Sequence, residues 1–209
     1  MARANKTDPI RNFKFQVQVL PDTDSGLYGL IGEEIVKMGF SVVSGLTVQN
    51  EMIAYREGGM NTHPHKMVGQ SDYGPITLTK GVFAHQKAMY QWQEFMHAWG
   101  QGGLNLVGSE SGNNDYRCDM VVTVHDHPTS AGSYAQPGTG DGAPTPAGDV
   151  KIAYKLFNCW PASYSLGDLN AGDSSILIQQ MVLNHEGFVI EWADSAEGSV
   201  NTDSFTQYG

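Results

Sequence analysis

Apolar residues recur at every second position in four separate stretches of this 209-residue chain, and that period does most to limit how it can fold. In Phe13–Val19, Phe13, Phe15, Val17 and Val19 alternate with Lys14, Gln16 and Gln18. In Ile76–Val82, Ile76, Leu78, Lys80 and Val82 oppose Thr77 and Thr79. Tyr116–His125 sets Tyr116, Cys118, Met120, Val122 and Val124 on one side, and Val150–Trp160 alternates Val150, Ile152, Tyr154, Leu156 and Trp160 with Lys151, Ala153, Lys155 and Phe157. A strand sends successive side chains to opposite faces, so this period marks sheets with one face to bury. The last two stretches read as hairpin partners, and the whole as a mainly antiparallel β protein.

The rest of the chain fits around those strands. Gly39–Gln49 is β-branched around a Ser44-Gly45 interruption suited to a bulge or bend, and reads as the antiparallel partner of the first strand. From Tyr55 to Gly74 the alternation vanishes, and a connection that long in a compact domain is usually functional or disordered. Between His85 and Trp99 the period changes to three and four, through Ala88, Met89, Trp92, Phe95, Met96 and Trp99, with Gly100 placed as a left-handed C-cap. This predicts a single helix laying an apolar stripe over a sheet, a commoner use of such a stripe than an aromatic ligand groove.

Asn158–Phe188 reads as an apolar strand stopped by Pro161, a small polar crossover, and a long strand system over Ser174–Trp192. There Ile176, Ile178 and Val182 face one way, and Leu177, Met181 and Leu183 the other. A strand apolar on both faces needs cover on both, from its own domain and from another subunit. Pro128–Asp149 is rich in Gly, Pro, Ser, Thr and Ala, too poor in large apolar groups to order itself, and predicts a flexible insertion over about 128–149. The polar tail, about 193–209, is expected to order only against a neighbour. The expectation is one domain across 1–209.

Charge narrows the function. With 12 Lys and Arg against 22 Asp and Glu, the formal charge is −10, the wrong sign for a protein that grips phosphate backbones. No basic segment precedes an apolar run at the start, and no run of apolar residues is long enough to span a bilayer, so synthesis and folding in a cytosol are expected. Cys118 and Cys159 each fall inside a predicted strand and read as small buried hydrophobes in a reducing compartment.

The search for chemistry finds little. His63-Pro64-His65 and His125-Asp126-His127 could each point two rings to one side of a strand, but neither has a third ligand, and a structural or surface role is the plainer reading. No serine sits in a strand-to-helix elbow, since Gly108–Gly112 (GSESG) lies in a polar turn, and Gly58-Gly59 lacks the Lys-Ser/Thr of a phosphate loop. No catalytic, cofactor-binding or metal-binding residue is assigned.

A set of segments, taken in order, resembles the tail tube proteins of long-tailed bacteriophages, shared with the inner tubes of contractile injection systems. They are Asp8–Phe15 (DPIRNFKF), Phe40–Gly45 (FSVVSG), Ile53–Gly59 (IAYREGG), His65-Lys66 followed by Gly69, Gly74–Gly81 (GPITLTKG), the helix through Trp92, and Asn158–Gly187. The resemblance implies a β-sandwich or barrel-like tail tube fold with one flanking helix and long interface loops. It implies hexameric rings whose strands close into a barrel, stacked into a tube that passes DNA in phages or protein cargo in injection systems. Closure across subunits would remove exposed sheet edges.

By the same resemblance, Tyr55, Arg56, Glu57, Gly58, Gly59, His65, Lys66, Gly69, Trp160, Leu166, Asp168 and Leu169 are interface candidates, with the 55–74 loop reaching to a neighbouring subunit or ring. Sheath, baseplate or hub, tape-measure and tail terminator proteins are the implied partners, in a virion tail without membrane insertion. An acidic lumen would let a polyanion slide without sticking. The insertion at 128–149 is longer than the resemblance leads one to expect and would decorate the outer wall or a seam between rings. The competing reading is a carbohydrate-binding β-sandwich using Tyr55, Tyr73, Trp160 and Tyr164 as a platform; a metal enzyme built on the His pairs is a further rival.

Overall fold

The computed structural model describes residues 9–22, 25–28, 39–59, 62–100, 115–125, 150–172, 174–193 and 200. Among these residues the chain forms β1 (Phe15–Leu20), β2 (Val42–Ser44), β3 (Val48–Tyr55), β4 (His65–Tyr73), β5 (Ile76–Gly81), α1 (Ala88–Gly100), β6 (Cys118–His125), β7 (Val150–Leu166), β8 (Ile178–Asn184) and β9 (Gly187–Trp192). The main sheet runs β1-β6-β7-β8-β5-β2, with β9 also on β7, while β3 and β4 pair only with each other. Every pairing is antiparallel.

The 17-residue strand β7 organises this arrangement. Its first half lies between β6 and β9, and its second half pairs with β8. β8 and β9 follow one another along it, from Leu166↔Gln179 through Trp160↔Asn184 and Phe157↔Gly187 to Ile152↔Trp192. Three bulges interrupt β7: the register against β6 steps from Val124↔Ile152 to His125↔Val150 near its start and from Cys118↔Cys159 to Met120↔Leu156 further on, and that against β8 from Pro161↔Leu183 to Ser163↔Val182. A bulge adds a residue to one strand and sharpens its twist. β7 thereby passes from one sheet layer to the other.

Asn158 sits at the second of these with φ 53, in the left-handed region that Asn tolerates better than other side-chain-bearing residues. Polar contacts hold it there. Its amide donates to Glu186 Oε2 at 2.5 Å and its backbone N–H to Asp119 Oδ1 at 3.2 Å, while Arg117 Nη1 donates to Glu186 Oε1 at 2.7 Å.

The alternation seen in the sequence becomes cross-strand rows. Val17–Val122–Tyr154–Ile190 and Val19–Met120–Leu156–Phe188 cross the first layer, and Val43–Leu78–Met181–Tyr164 crosses the second. α1 contributes Ala88, Met89, Trp92 and Phe95 to the same core, and Trp92 Nε1 donates to the Tyr116 carbonyl at 3.2 Å. Lys80 continues the inward face of β5 and is buried, its ammonium donating to Gln86 Oε1 and standing over the Phe83 ring.

The mainly β, antiparallel architecture with a packed helix over Ala88–Gly100 agrees with expectation, and so does the β6–β7 pair; residues 26–28 are helical as well. The Ser44-Gly45 interruption is a bend: β2 ends at Ser44, and β3 begins at Val48 after Gly45, whose φ of +98 turns the chain. Four local expectations fail. Residues 39–49 do not partner the first strand, because β1 pairs with β6 and β2 with β5. Pro161 does not stop its strand, which absorbs it at a bulge where a missing N–H is tolerated. Gly100 is the last helical residue and has no left-handed φ. The stretch from Tyr55 to Gly74 is no loop, since His65–Tyr73 is β4. The 128–149 insertion, Asp126, His127 and Gly108–Gly112 lie outside the described residues, as does the tail beyond Ala193 except Val200, whose N–H donates to the Val150 carbonyl at 2.9 Å within its own chain.

Candidate assembly surface

β3 and β4 form a ribbon that departs from the body. Every residue of both strands is exposed except the half-buried Gly69. The register Met52↔Val68, Ile53↔Met67, Ala54↔Lys66, Tyr55↔His65 sets Met52 and Val68 on one face, and Ile53, Met67 and Tyr55 on the other. Val68 is 79% exposed, and Met52, Tyr55 and Met67 are each 55% exposed. A two-stranded ribbon is marginal in water by itself, and contiguous exposed apolar surface marks an interaction site.

The root of the arm is fixed. Gly74 N–H donates to the Thr47 carbonyl at 3.1 Å, closing the ribbon's base. A Cβ on Gly45 would lie 2.2 Å from the Pro75 carbonyl oxygen, so only glycine fits. Tyr73 packs its ring against His185 and Phe188, at centroid distances of 5.8 and 5.5 Å, and His185 Nε2 meets the Gly74 carbonyl at 3.0 Å. These contacts tie the arm to the bend between β8 and β9. At its far end Arg56, Glu57, Gly58 and Gly59 form the turn, with Gly59 at φ +94.

Of the interface candidates, Tyr55, Arg56, Glu57, Gly58, Gly59, His65, Lys66 and Gly69 therefore share the arm. Gly69 has a local reason to be glycine: it lies at the bulge of β4, where a Cβ would come within 3.0 Å of the Glu51 carbonyl oxygen. Leu166, Asp168 and Leu169 gather instead at the β7–β8 turn, where Leu166, Leu169, Ile176 and Ile178 are all exposed. Trp160 joins neither group; it is half-buried at the crossing of β7, opposite Asn184. Sequence reasoning missed Met52, Ile53, Met67 and Val68 as exposed apolar groups, whereas Ile176 and Ile178 belong to the exposed one of the two apolar faces it expected there. The available signal was the Gly58-Gly59 turn between two runs of strand length.

The rival constellations are not assembled. Tyr164 donates to Gln179 Oε1 at 3.0 Å and packs on Tyr90 at 6.1 Å; burial, and secondarily Tyr90, pushes its phenol above the ordinary value. Tyr73 belongs to the separate cluster with His185 and Phe188. The His63 and His65 rings meet edge-on at 6.1 Å, and the described residues contain no group of three or more His, Cys, Asp or Glu side chains placed to hold a metal. Among them, no helix is long and apolar enough to cross a membrane.

Solved structures share the fold. The fold is that of chains in a sheath–tube complex of an extracellular contractile injection system, PVC, in the extended state (TM-score 0.58, 21% identity, 90% of this chain and 94% of that one). It is also that of chains in the baseplate of the anti-feeding prophage (TM-score 0.60, 18% identity, 89% and 97%) and in that particle's tube-terminating cap (0.56, 23%, 89% and 93%). A search of curated protein sequences finds no match. Residues 11–189 match the T4-like virus tail tube protein gp19 family, and the chain belongs to that family. Membership in that family makes it a tail tube protein.

Proposed function

We propose that this chain assembles into hexameric rings that stack into a tube, and that the β3–β4 arm carries contacts between subunits. The observation behind this reading is the arm itself: a ribbon apolar on both faces, rigidly rooted, with no cover from its own chain's described residues. Arg56, Glu57 and Lys66 at its outer end supply charges for register against the neighbour, while Met52, Ile53, Met67 and Val68 supply buried area. The β7–β8 turn, with Leu166, Asp168 and Leu169, is a second contact surface.

Among the described residues, the second half of β7 has β8 on one edge, and Cys159 is the last residue that β6 pairs on the other. That open edge suits pairing with the next subunit, closing the sheets into a barrel. The 128–149 insertion decorates the outside or an inter-ring seam. The lumen conducts DNA in a virion tail, with the acidic balance of the chain preventing a polyanion from sticking. Sheath, baseplate or hub, tape-measure and terminator proteins are the partners of such a tube, and a hub starts its growth. The role is structural, without catalysis or cofactor. Protein cargo in an injection system is the second reading, supported by the injection-system chains that share the fold.

Negative-stain electron microscopy of the purified chain across a concentration series, with and without a hub partner, tests the proposal. Rings with a central hole, or stacked tubes, are expected. Discrete small particles under all conditions, together with saturable glycan binding, would contradict it.

A further inference from the structure

Cys118 and Cys159, the chain's two cysteines, are both free and buried, and face each other across β6 and β7. Directly opposed residues of an antiparallel pair project to the same face, with Cα atoms about 4.5–5.5 Å apart, inside the span that a disulfide bridges. The Cys118 thiol is aimed across the ladder, its Sγ 3.9 Å from the Cys159 carbonyl oxygen. The pair also sits at the bend where β7 leaves β6 for β8, next to the bulge at Phe157 and Asn158.

We infer that Cys118 and Cys159 form a latent redox staple: a dithiol in reducing surroundings that closes to a cross-strand disulfide when the protein meets a small-molecule disulfide oxidant. One cysteine thiolate attacks the oxidant, forming a mixed disulfide and releasing one thiol. The second thiolate attacks the protein-bound sulfur, forming the Cys118–Cys159 bond and releasing the other thiol. Two protein thiols and one oxidant disulfide thus become one protein disulfide and two small thiols.

The pairing beside the two thiols is irregular. At the bulge the Asn158 N–H bonds to the Asp119 side chain, so the ladder between β6 and β7 is interrupted next to Cys159. Burial raises both thiols above their ordinary value, Cys118 with a further contribution from Cys159, which makes attack slow near neutral pH and faster on the alkaline side. A closed bond spans 41 positions of the chain and links the two strands at the crossing between layers, which constrains the unfolded chain and stabilises the fold.

Full-length protein is unfolded in urea and refolded in glutathione buffers of graded oxidised-to-reduced ratio, so both thiols are accessible during the reaction, then mapped by mass spectrometry. A linked 118–159 peptide should appear, intact mass should fall by two hydrogens, and near-UV circular dichroism should match the dithiol form. Tm should rise on the order of 5 °C and fall back with dithiothreitol. Cys118→Ser and Cys159→Ser should show no oxidant-dependent rise in Tm. A linked species that fails to regain the native spectrum, or melts below the dithiol, overturns the inference. So does folded protein that stays dithiol at ratios that fully link the unfolded chain.

Discussion

The β6–β7 seam and the β3–β4 arm are both antiparallel ribbons with a bulge, yet one is the most enclosed part of the described chain and the other the most exposed. In the seam Met120, Leu156 and Cys159 are fully buried, and apolar rows continue across β1 and β9. In the arm equally apolar Met52, Met67 and Val68 stand in solvent. The difference lies in how the chain returns, because the seam has neighbours on both edges and α1 beneath it, whereas among the described residues β3 and β4 pair only with each other. Secondary structure alone therefore does not say where the stability of a strand comes from; its cover does.

Substitutions should separate the two regions sharply. Trp92→Ala would remove the largest fully buried side chain and should cost about 3–5 kcal/mol in urea unfolding of the unassembled protein. Gly45→Ala, at φ +98 and with the Pro75 carbonyl 2.2 Å from the new Cβ, should cost about 2–4 kcal/mol and loosen the arm's root.

An alkaline titration, compared with a cysteine-free variant, probes the seam. Both thiols are raised in the folded state, so the unfolded chain loses its thiol protons first. Stability should hold below the ordinary thiol value of 9.0 and fall as pH rises above it, and a Cys118→Ala/Cys159→Ala protein should show a shallower fall. In the arm, Met52→Ser with Val68→Ser should change the unfolding free energy of the unassembled protein by no more than about 0.5 kcal/mol. The same change should abolish rings and tubes in electron micrographs. Assembly that survives it would place the subunit contacts elsewhere.

How legible each region was in the sequence follows from the same contrast. Where one face is buried and the other wet, as in β1 and β5, the period of two is clean, and Ile76, Leu78 and even the buried Lys80 were placed on the correct face. In the arm neither face belongs to the monomer's core, so Met52 and Ile53, or Met67 and Val68, stand side by side without alternation, and the Gly69 bulge breaks the register further. Pro161 misled because a proline usually ends a central strand, while here it sits beside a bulge. The pairing of β1 with β6 depends on contacts more than a hundred residues apart, such as Lys14 with His125, which no local pattern encodes. The interface candidates came from resemblance; the structure explains Gly69 as a local necessity, and leaves Trp160 apart from the two exposed groups.

Hydrogen exchange by mass spectrometry, followed peptide by peptide in unassembled protein and in assembled tubes, tests the account most directly. Peptides covering β6 and β7 should be protected in both states, and those covering Val48–Tyr55 and His65–Tyr73 should exchange fast in the free subunit and become protected in the tube. Arm peptides whose exchange is the same in both states would contradict the claim that the arm is an assembly surface.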